Sequence, residues 1–282
     1  MELIKSSWNY KILNKKYYIN KKHDYKYLVR QNLRDAQNFS GWLMNFAPTG
    51  NLNLKFEKSL PQEDSTNLTK SFWNIDGSRI EIKDSLTFSL EARRSTPVEH
   101  LDSEWSEEEL LFLINKAISD GRRNKVYKDE YIPLRSYPSG GAQYPIKIFI
   151  IVNKDMGYFK KNHSYKIHAD LGMISEIDQV NFKFEEIFAI SHFNKEISEE
   201  TKKLSFAIVL DMNLKHSFKK YKYYSRQLAM IEAGHIGQNL QLVSTAMGKK
   251  SLPNGGILSD VTKEAIGLSD SQDDIVIYGV AF

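Results

Sequence analysis

Hydrophobic positions are spaced unevenly along this chain, and their pattern sharpens past residue 85. Ser106 stands three residues ahead of Glu109, and Leu110, Leu113, Ile114 and Ala117 follow at helical spacing with Gly121 as a stop. That arrangement predicts a helix opened by a capping box. Three apolar runs rich in β-branched residues, 146–152 (IKIFIIV), 205–211 (SFAIVLD) and 275–281 (IVIYGVA), have the length and composition of strands buried on both faces. A long helical pattern covers 226–247 and sets Leu228, Ile231, Ile236, Leu240, Val243 and Met247 on or near one stripe. Ala233, Gly234 and Gly237 lie within it, and since each interior glycine costs ~1 kcal/mol relative to alanine, they predict close packing against another backbone.

Residues 1–80 show weak periodicity, and 59–71 (SLPQEDSTNLTKS) is polar enough for a surface loop or boundary. Helices and strands alternate without the steady rhythm of a doubly wound parallel sheet. The expected architecture is α+β, a mixed central sheet flanked by helices, with residues 1–85 as an N-terminal extension and 86–282 as the main domain.

Composition narrows the chemistry. The 282 residues include no cysteine, which excludes disulfides, thiolate metal sites, iron–sulfur clusters and a cysteine nucleophile, so redox chemistry would need a bound organic cofactor or another metal. His163 and His168 fall on opposite sides of an expected strand, and no metal site is expected. No eighteen-residue apolar stretch or secretion signal occurs, and the expected location is the cytoplasm, away from membranes. The net charge of +4 is concentrated near the start: residues 1–35 hold nine Lys/Arg against three acids, a local +6. That segment reads either as a solvated face or as a docking surface for a leader peptide or protein partner; nucleic acid is the less favoured partner.

Familiar phosphate loops are absent. In "AMGKKSLPNGG" the positions a Walker loop needs as glycine and Ser/Thr hold Val243 and Lys250. No Gly-x-Gly-x-x-Gly follows a strand, and Ser139 lacks the second flanking glycine of a nucleophile elbow. What remains is "RSYPSGGAQYPIKIFIIV", where Gly140 and Gly141 bare the main chain in front of a strand and Ser139 adds a hydroxyl. This is either a tight turn or a backbone platform for a flat or anionic ligand. In "EARRSTP", Arg93, Arg94 and Ser95 are either a solvated basic pair beside a hydroxyl or a set of donors for a phosphate. In "FKKYKYYSRQLAMIEAG", Lys220 and Tyr221 precede the long helix: either a phenol favoured in its ionised form by an adjacent ammonium, able to act as a base, or part of an aromatic and basic surface strip or single-stranded nucleic-acid platform.

In this order the segments resemble the azoline dehydrogenases of the nitroreductase superfamily, the flavin-dependent subunits of microcin-type and streptolysin-type azole synthetases. The resemblance covers residues 90–282 and rests on "YPSGGAQYP" and on the Lys-Tyr pair fourteen and thirteen residues ahead of Gly234. It implies a nitroreductase-like domain with FMN at a homodimer interface. Pro138, Ser139, Gly140 and Gly141 would wall the isoalloxazine, and Arg93, Arg94 and Ser95 would bind the phosphate and ribityl end. Gly255 and Gly256 would bring backbone N–H to the flavin N5, although the family carries an acid where Gly255 stands. Lys249 or Lys250 would share the phosphate load. The implied reaction converts thiazolines or oxazolines of a heterocyclised precursor peptide to thiazoles or oxazoles during biosynthesis of a ribosomally made bacteriocin, thiopeptide or toxin. Tyr221 would take the Cα proton, Lys220 would keep Tyr221 reactive or stabilise charge on the ring nitrogen, hydride would pass to FMN, and oxygen would reoxidise it. Cyclodehydratase components would be the partners. The competing readings are an NAD(P)H-dependent nitroreductase or flavin reductase, and a cofactor-free binding subunit of a multiprotein complex.

Overall fold

The computed structural model describes residues 72–74, 86–101, 104–119, 123–126, 130–177 and 182–282. The basic segment 1–35, the polar stretch 59–71 and Gly121 lie outside the described residues. Its elements are β1 (Phe72–Asn74), α1 (Leu86–Ala92), α2 (Glu107–Ala117), β2 (Arg123–Val126), β3 (Glu130–Pro133), β4 (Ile146–Val152), β5 (Ser164–His168), β6 (Met173–Glu176), α3 (Lys195–Thr201), β7 (Phe206–Asn213), α4 (Ser217–Tyr221), α5 (Ser225–Ala246), β8 (Leu252–Asn254), α6 (Ser259–Ala265) and β9 (Asp274–Ala281). Seven strands form one sheet in the order β1-β6-β5-β4-β7-β9-β8, while β2 and β3 form a separate hairpin. Strand pairs within both sheets are antiparallel. Parallel pairing enters at the bridge between Ser95 and Ser251, beside the β8 edge. The three expected strands are β4, β7 and β9. The N-terminal part of the chain contributes an edge strand, Phe72 opposite Ser175 and Asn74 opposite Met173.

Because neighbouring side chains point to opposite faces of a strand, β4 serves two cores. Ile146, Ile148, Ile150 and Val152 pack with Leu110, Leu113 and Ile114 of α2 and with Ala229, Ala233, Ile236 and Leu240 of α5. Phe149 and Ile151 join Ala207, Val209, Phe184, Ile187 and Phe188 on the other face. Each large apolar side chain so buried contributes about 1.5–3 kcal/mol. At the last residue, the Phe282 ring stacks on Phe206 at 4.7 Å, Trp105 stands edge-on to both, and the Phe282 carbonyl accepts the Ser205 N–H. β9 is less enclosed than its composition suggests, since Ile275 is exposed.

The Ser106 capping box forms as the spacing predicts: the hydroxyl accepts the Glu109 N–H and the Glu109 carboxylate accepts the Ser106 N–H. The buried side of α5 differs from the expected stripe. It carries Ala229, Glu232, Ala233, Ile236, Gly237, Leu240, Gln241 and Ser244, whereas Ile231 faces outward. Close approach is real at Gly237, where a Cβ would stand 2.7 Å from the Tyr278 ring; that neighbour is a side chain, and Gly234 opens onto empty space.

Candidate functional site

The sequence-derived residues fall into two groups at different heights along α5. The first is built on the loop between the β2–β3 hairpin and β4. Gly141, Ala142 and Tyr144 take φ of +60°, +54° and +46°. For the two non-glycine residues, the left-handed region costs roughly 1–2 kcal/mol each, so surrounding contacts must hold the loop. The Ser139 hydroxyl accepts the Tyr144 N–H at 2.9 Å, and Gln143 Nε2 donates to the Gly141 carbonyl at 3.1 Å. The Leu228 side chain of α5 lies over Gly140.

Gly141 underlies the Lys-Tyr pair. A Cβ there would run into the Tyr221 hydroxyl oxygen and stand 2.8 Å from Lys220 Nζ. Lys220 and Tyr221 end the short helix α4, after which Lys222, at φ +51°, turns the chain toward α5. The Lys220 ammonium lies 5.2 Å from the centre of the Tyr221 ring. Phenol, ammonium and bare glycine backbone therefore converge at one half-exposed place, which explains why Gly141 carries no side chain. Pro138 is exposed at the rim.

Behind this loop sits a polar group that the sequence reading did not single out. Arg135 Nη1 donates to the Tyr137 hydroxyl at 2.8 Å, and its guanidinium lies 4.3 Å from the Tyr144 ring centre. Glu232 of α5 reaches across to accept the Ile146 N–H at 3.3 Å. Burial pushes the Glu232 carboxyl up to about 7, against the pull of the Ser139 hydroxyl, the Arg135 guanidinium and the Ile146 N–H. Burial also pushes the Tyr137 phenol far above its ordinary value. No local signal marked Glu232, whose inward turn is set by its partner on the loop.

The second group lies toward the other end of α5. Arg93 Nη1 donates to Gln241 Oε1 at 2.9 Å, which ties the segment after α1 to α5. Arg94 is exposed and folds back on the carbonyls of Glu91 and Arg93. Ser95 pairs with Ser251, the Thr96 N–H donates to the Ser251 carbonyl, and the Ser244 hydroxyl donates to Ser251 Oγ. Gly255 and Gly256 are exposed just beyond β8, with open space around the Gly255 Cα. The Gly256 N–H already donates to Asn254 Oδ1 at 2.6 Å, and its carbonyl accepts the Ala189 N–H. Lys249 pins the start of α2, pairing with Glu109 at 2.7 Å and the Glu104 carbonyl, while Lys250 donates to the His100 carbonyl. Both lysines thus have structural engagements.

Leu228, under the glycine loop, and Gln241, under Arg93, are thirteen residues apart on one helix, or about 20 Å along its axis at 1.5 Å per residue. The fold thus brings Gly141 to Lys220 and Tyr221, and Ser95 to Ser251 at the start of the edge that leads to Gly255 and Gly256. It keeps the two sets apart within one chain.

Among solved structures, the E. coli microcin synthetase McbBCD complex with truncated pro-MccB17 bound contains a similar chain: 23% identity, TM-score 0.57, over 73% of this chain and 73% of that one. A candidate nitroreductase from Anabaena variabilis matches at 20% identity and TM-score 0.57, over 75% of this chain and 41% of its own length. Another from Ralstonia eutropha matches at 13% and 0.52, over 70% of this chain and 81% of its own. At these identities the likeness is one of fold. No curated protein sequence matches the chain significantly. Residues 90–282, more than half of the sequence, match the Nitroreductase family, and the chain belongs to that family.

Proposed function

We propose that this protein is an FMN-dependent azoline dehydrogenase acting on a heterocyclised peptide. The observation that carries the reading is the convergence of Tyr221 and Lys220 over Gly141. A family member that merely passes electrons from a nicotinamide to an acceptor has no need for a phenol and an ammonium at one point. Aromatising an azoline requires removal of one proton and one hydride, so it does need a base. The McbBCD likeness supports the same reading, since that complex is a microcin synthetase with a pro-peptide bound. It also supports other synthetase components as partners, among which we infer a cyclodehydratase that makes the azolines.

The residues present fit FMN. Arg93, Arg94 and Ser95 offer donors for its phosphate, the open Gly255 leaves room for a ring edge, and Pro138–Gly141 offer bare backbone. When bound, FMN supplies the hydride acceptor and, through oxygen, the final electron sink. Tyr221 accepts the Cα proton of the ring. Lys220 keeps the phenol reactive, and Gly141 fixes the hydroxyl's position from below.

The separation along α5 favours a homodimer. Met230, Ile231 and Gly234 are exposed on α5, and Leu86, Phe88 and Leu90 are exposed on α1, which packs beside it. An apolar face of this kind is a candidate for burial against a second copy. Two α5 helices crossing antiparallel between Gly234 and His235 would set position 228 of one against 241 of the other, because the midpoint of that span falls there. Each complete site would then take its loop and base from one subunit and its Arg93 group from the other.

Replacing Tyr221 with Phe tests the chemistry. The variant should lose azole formation by at least ~100-fold, the lower end expected for a general base, while keeping the yellow cofactor. Full activity would remove the base, and a colourless protein that refuses added FMN would remove the reading.

A further inference from the structure

Glu232 lies one helical turn beyond Leu228, only 1% exposed, beneath the loop that carries Gly140 and Gly141. It bonds to the far end of that loop and faces Ser139 at the near end. At the far end, Oε1 accepts the Ile146 N–H. At the near end stands Ser139, whose oxygen accepts the Tyr144 N–H and whose hydroxyl favours the charged form of the carboxyl. Glu232 Oε2 is buried without a hydrogen-bond partner, an arrangement that ordinary packing avoids. The groups facing it are Arg135 from the segment before the loop and Tyr137 and Tyr144 from the loop itself. The neighbouring surfaces of β4 and α2 are apolar.

We propose that Glu232 is a positioning residue: as a carboxylate it clamps both ends of the glycine loop to α5 and thereby fixes the surface on which the Tyr221 hydroxyl and the Lys220 ammonium stand. The proposal rests on the reading of that pair as the base. Three left-handed residues in four make the loop dependent on external contacts. Gly141 has no gap between its backbone and the pair above, so a shift of the loop moves the base. Protonation of Glu232 turns one of its oxygens into a donor and removes the charge that the Ile146 N–H and the Ser139 hydroxyl stabilise, which weakens its hold on the loop. Loop geometry therefore follows the charge on Glu232.

The test uses the full chain loaded with FMN, a heterocyclised peptide, and the variants Glu232→Gln and Ser139→Ala. Glu232→Gln should lower kcat about tenfold with KM within twofold of wild type, and it should erase an ionisation near neutrality from the pH profile of kcat. Ser139→Ala, which loosens the clamp from the other side without altering the buried charge, should give a smaller loss in kcat. A second readout needs no catalysis. In FMN-free protein, amide hydrogen exchange across residues 140–146, corrected for intrinsic rates, should be slower at pH 8 than at pH 6 in wild type and unchanged between them in Glu232→Gln. Identical pH profiles and identical exchange in wild type and Glu232→Gln would overturn the proposal. If the exchange coupling appears but wild type oxidises no azoline at any pH, the clamp stands and the azoline reading falls.

Discussion

Gly141 concentrates the demands of the site in one residue. Its φ of +60° already disfavours any side chain, and the space a Cβ would occupy is taken by the Tyr221 hydroxyl and Lys220 Nζ. Gly141→Ala should therefore cost about 1 kcal/mol of stability through the backbone and at least ~10-fold in azoline oxidation through displacement of the base, a 1 Å misplacement being worth about 100-fold. Gly140→Ala meets only the flexible end of Leu228 and should be milder; parallel melting curves and turnover assays separate the two effects. The sequence singled out these glycines and the Lys-Tyr pair by residue type and spacing, and the fold brings Gly141 against that pair. Glu232 and Gln241 were not singled out. Their importance comes from distant partners, Ile146 and Arg93, and nothing in a helical pattern reveals which polar residue turns inward.

Strand and helix boundaries were read well where burial is uniform. Runs of β-branched residues in β4 and β7 leave no other option, and the Ser106 cap is set by local chemistry. The buried side of α5 was read less well, since large aliphatics such as Ile231 weigh most in a periodic pattern while the packed side uses Ala, Gly and Ser to approach the sheet. The pairing of β4, β7 and β9 also gathers a polar cluster. Asp211 is fully buried, Lys147 pairs with Asp274 at 2.6 Å, and Asn213 and Ser271 also donate to Asp274. Burial, reinforced by the neighbouring Asp274, pushes the Asp211 carboxyl up to about 8. Asp274 is held below its usual range in spite of burial, by the neighbouring Asp211 and by Lys147, Ser271 and Asn213. Between pH ~4 and ~8 the folded chain thus keeps a proton that the unfolded chain has released, so stability falls as pH rises through that window. Asp211→Asn should flatten the slope and gain at least about 1 kcal/mol relative to wild type at pH 8 compared with pH 5. Denaturant titrations at the two pH values measure it.

At the scale of the molecule, the α+β sandwich and its central sheet follow from the alternation of the pattern. The arrangement of the site does not, because "YPSGG" and "EARRS" look like neighbours of one ligand until α5 is seen to hold them about 20 Å apart. If each working centre joins the two halves across copies, lesions in different halves become complementary. Subunits carrying Tyr221→Phe and subunits carrying Arg93→Ala with Arg94→Ala would each be inactive alone. Unfolded together and refolded as an equal mixture, half the dimers would be hybrids with one undamaged centre apiece, restoring about a quarter of wild-type turnover. A mixture as silent as its parents would mean that each polypeptide must assemble its whole centre unaided.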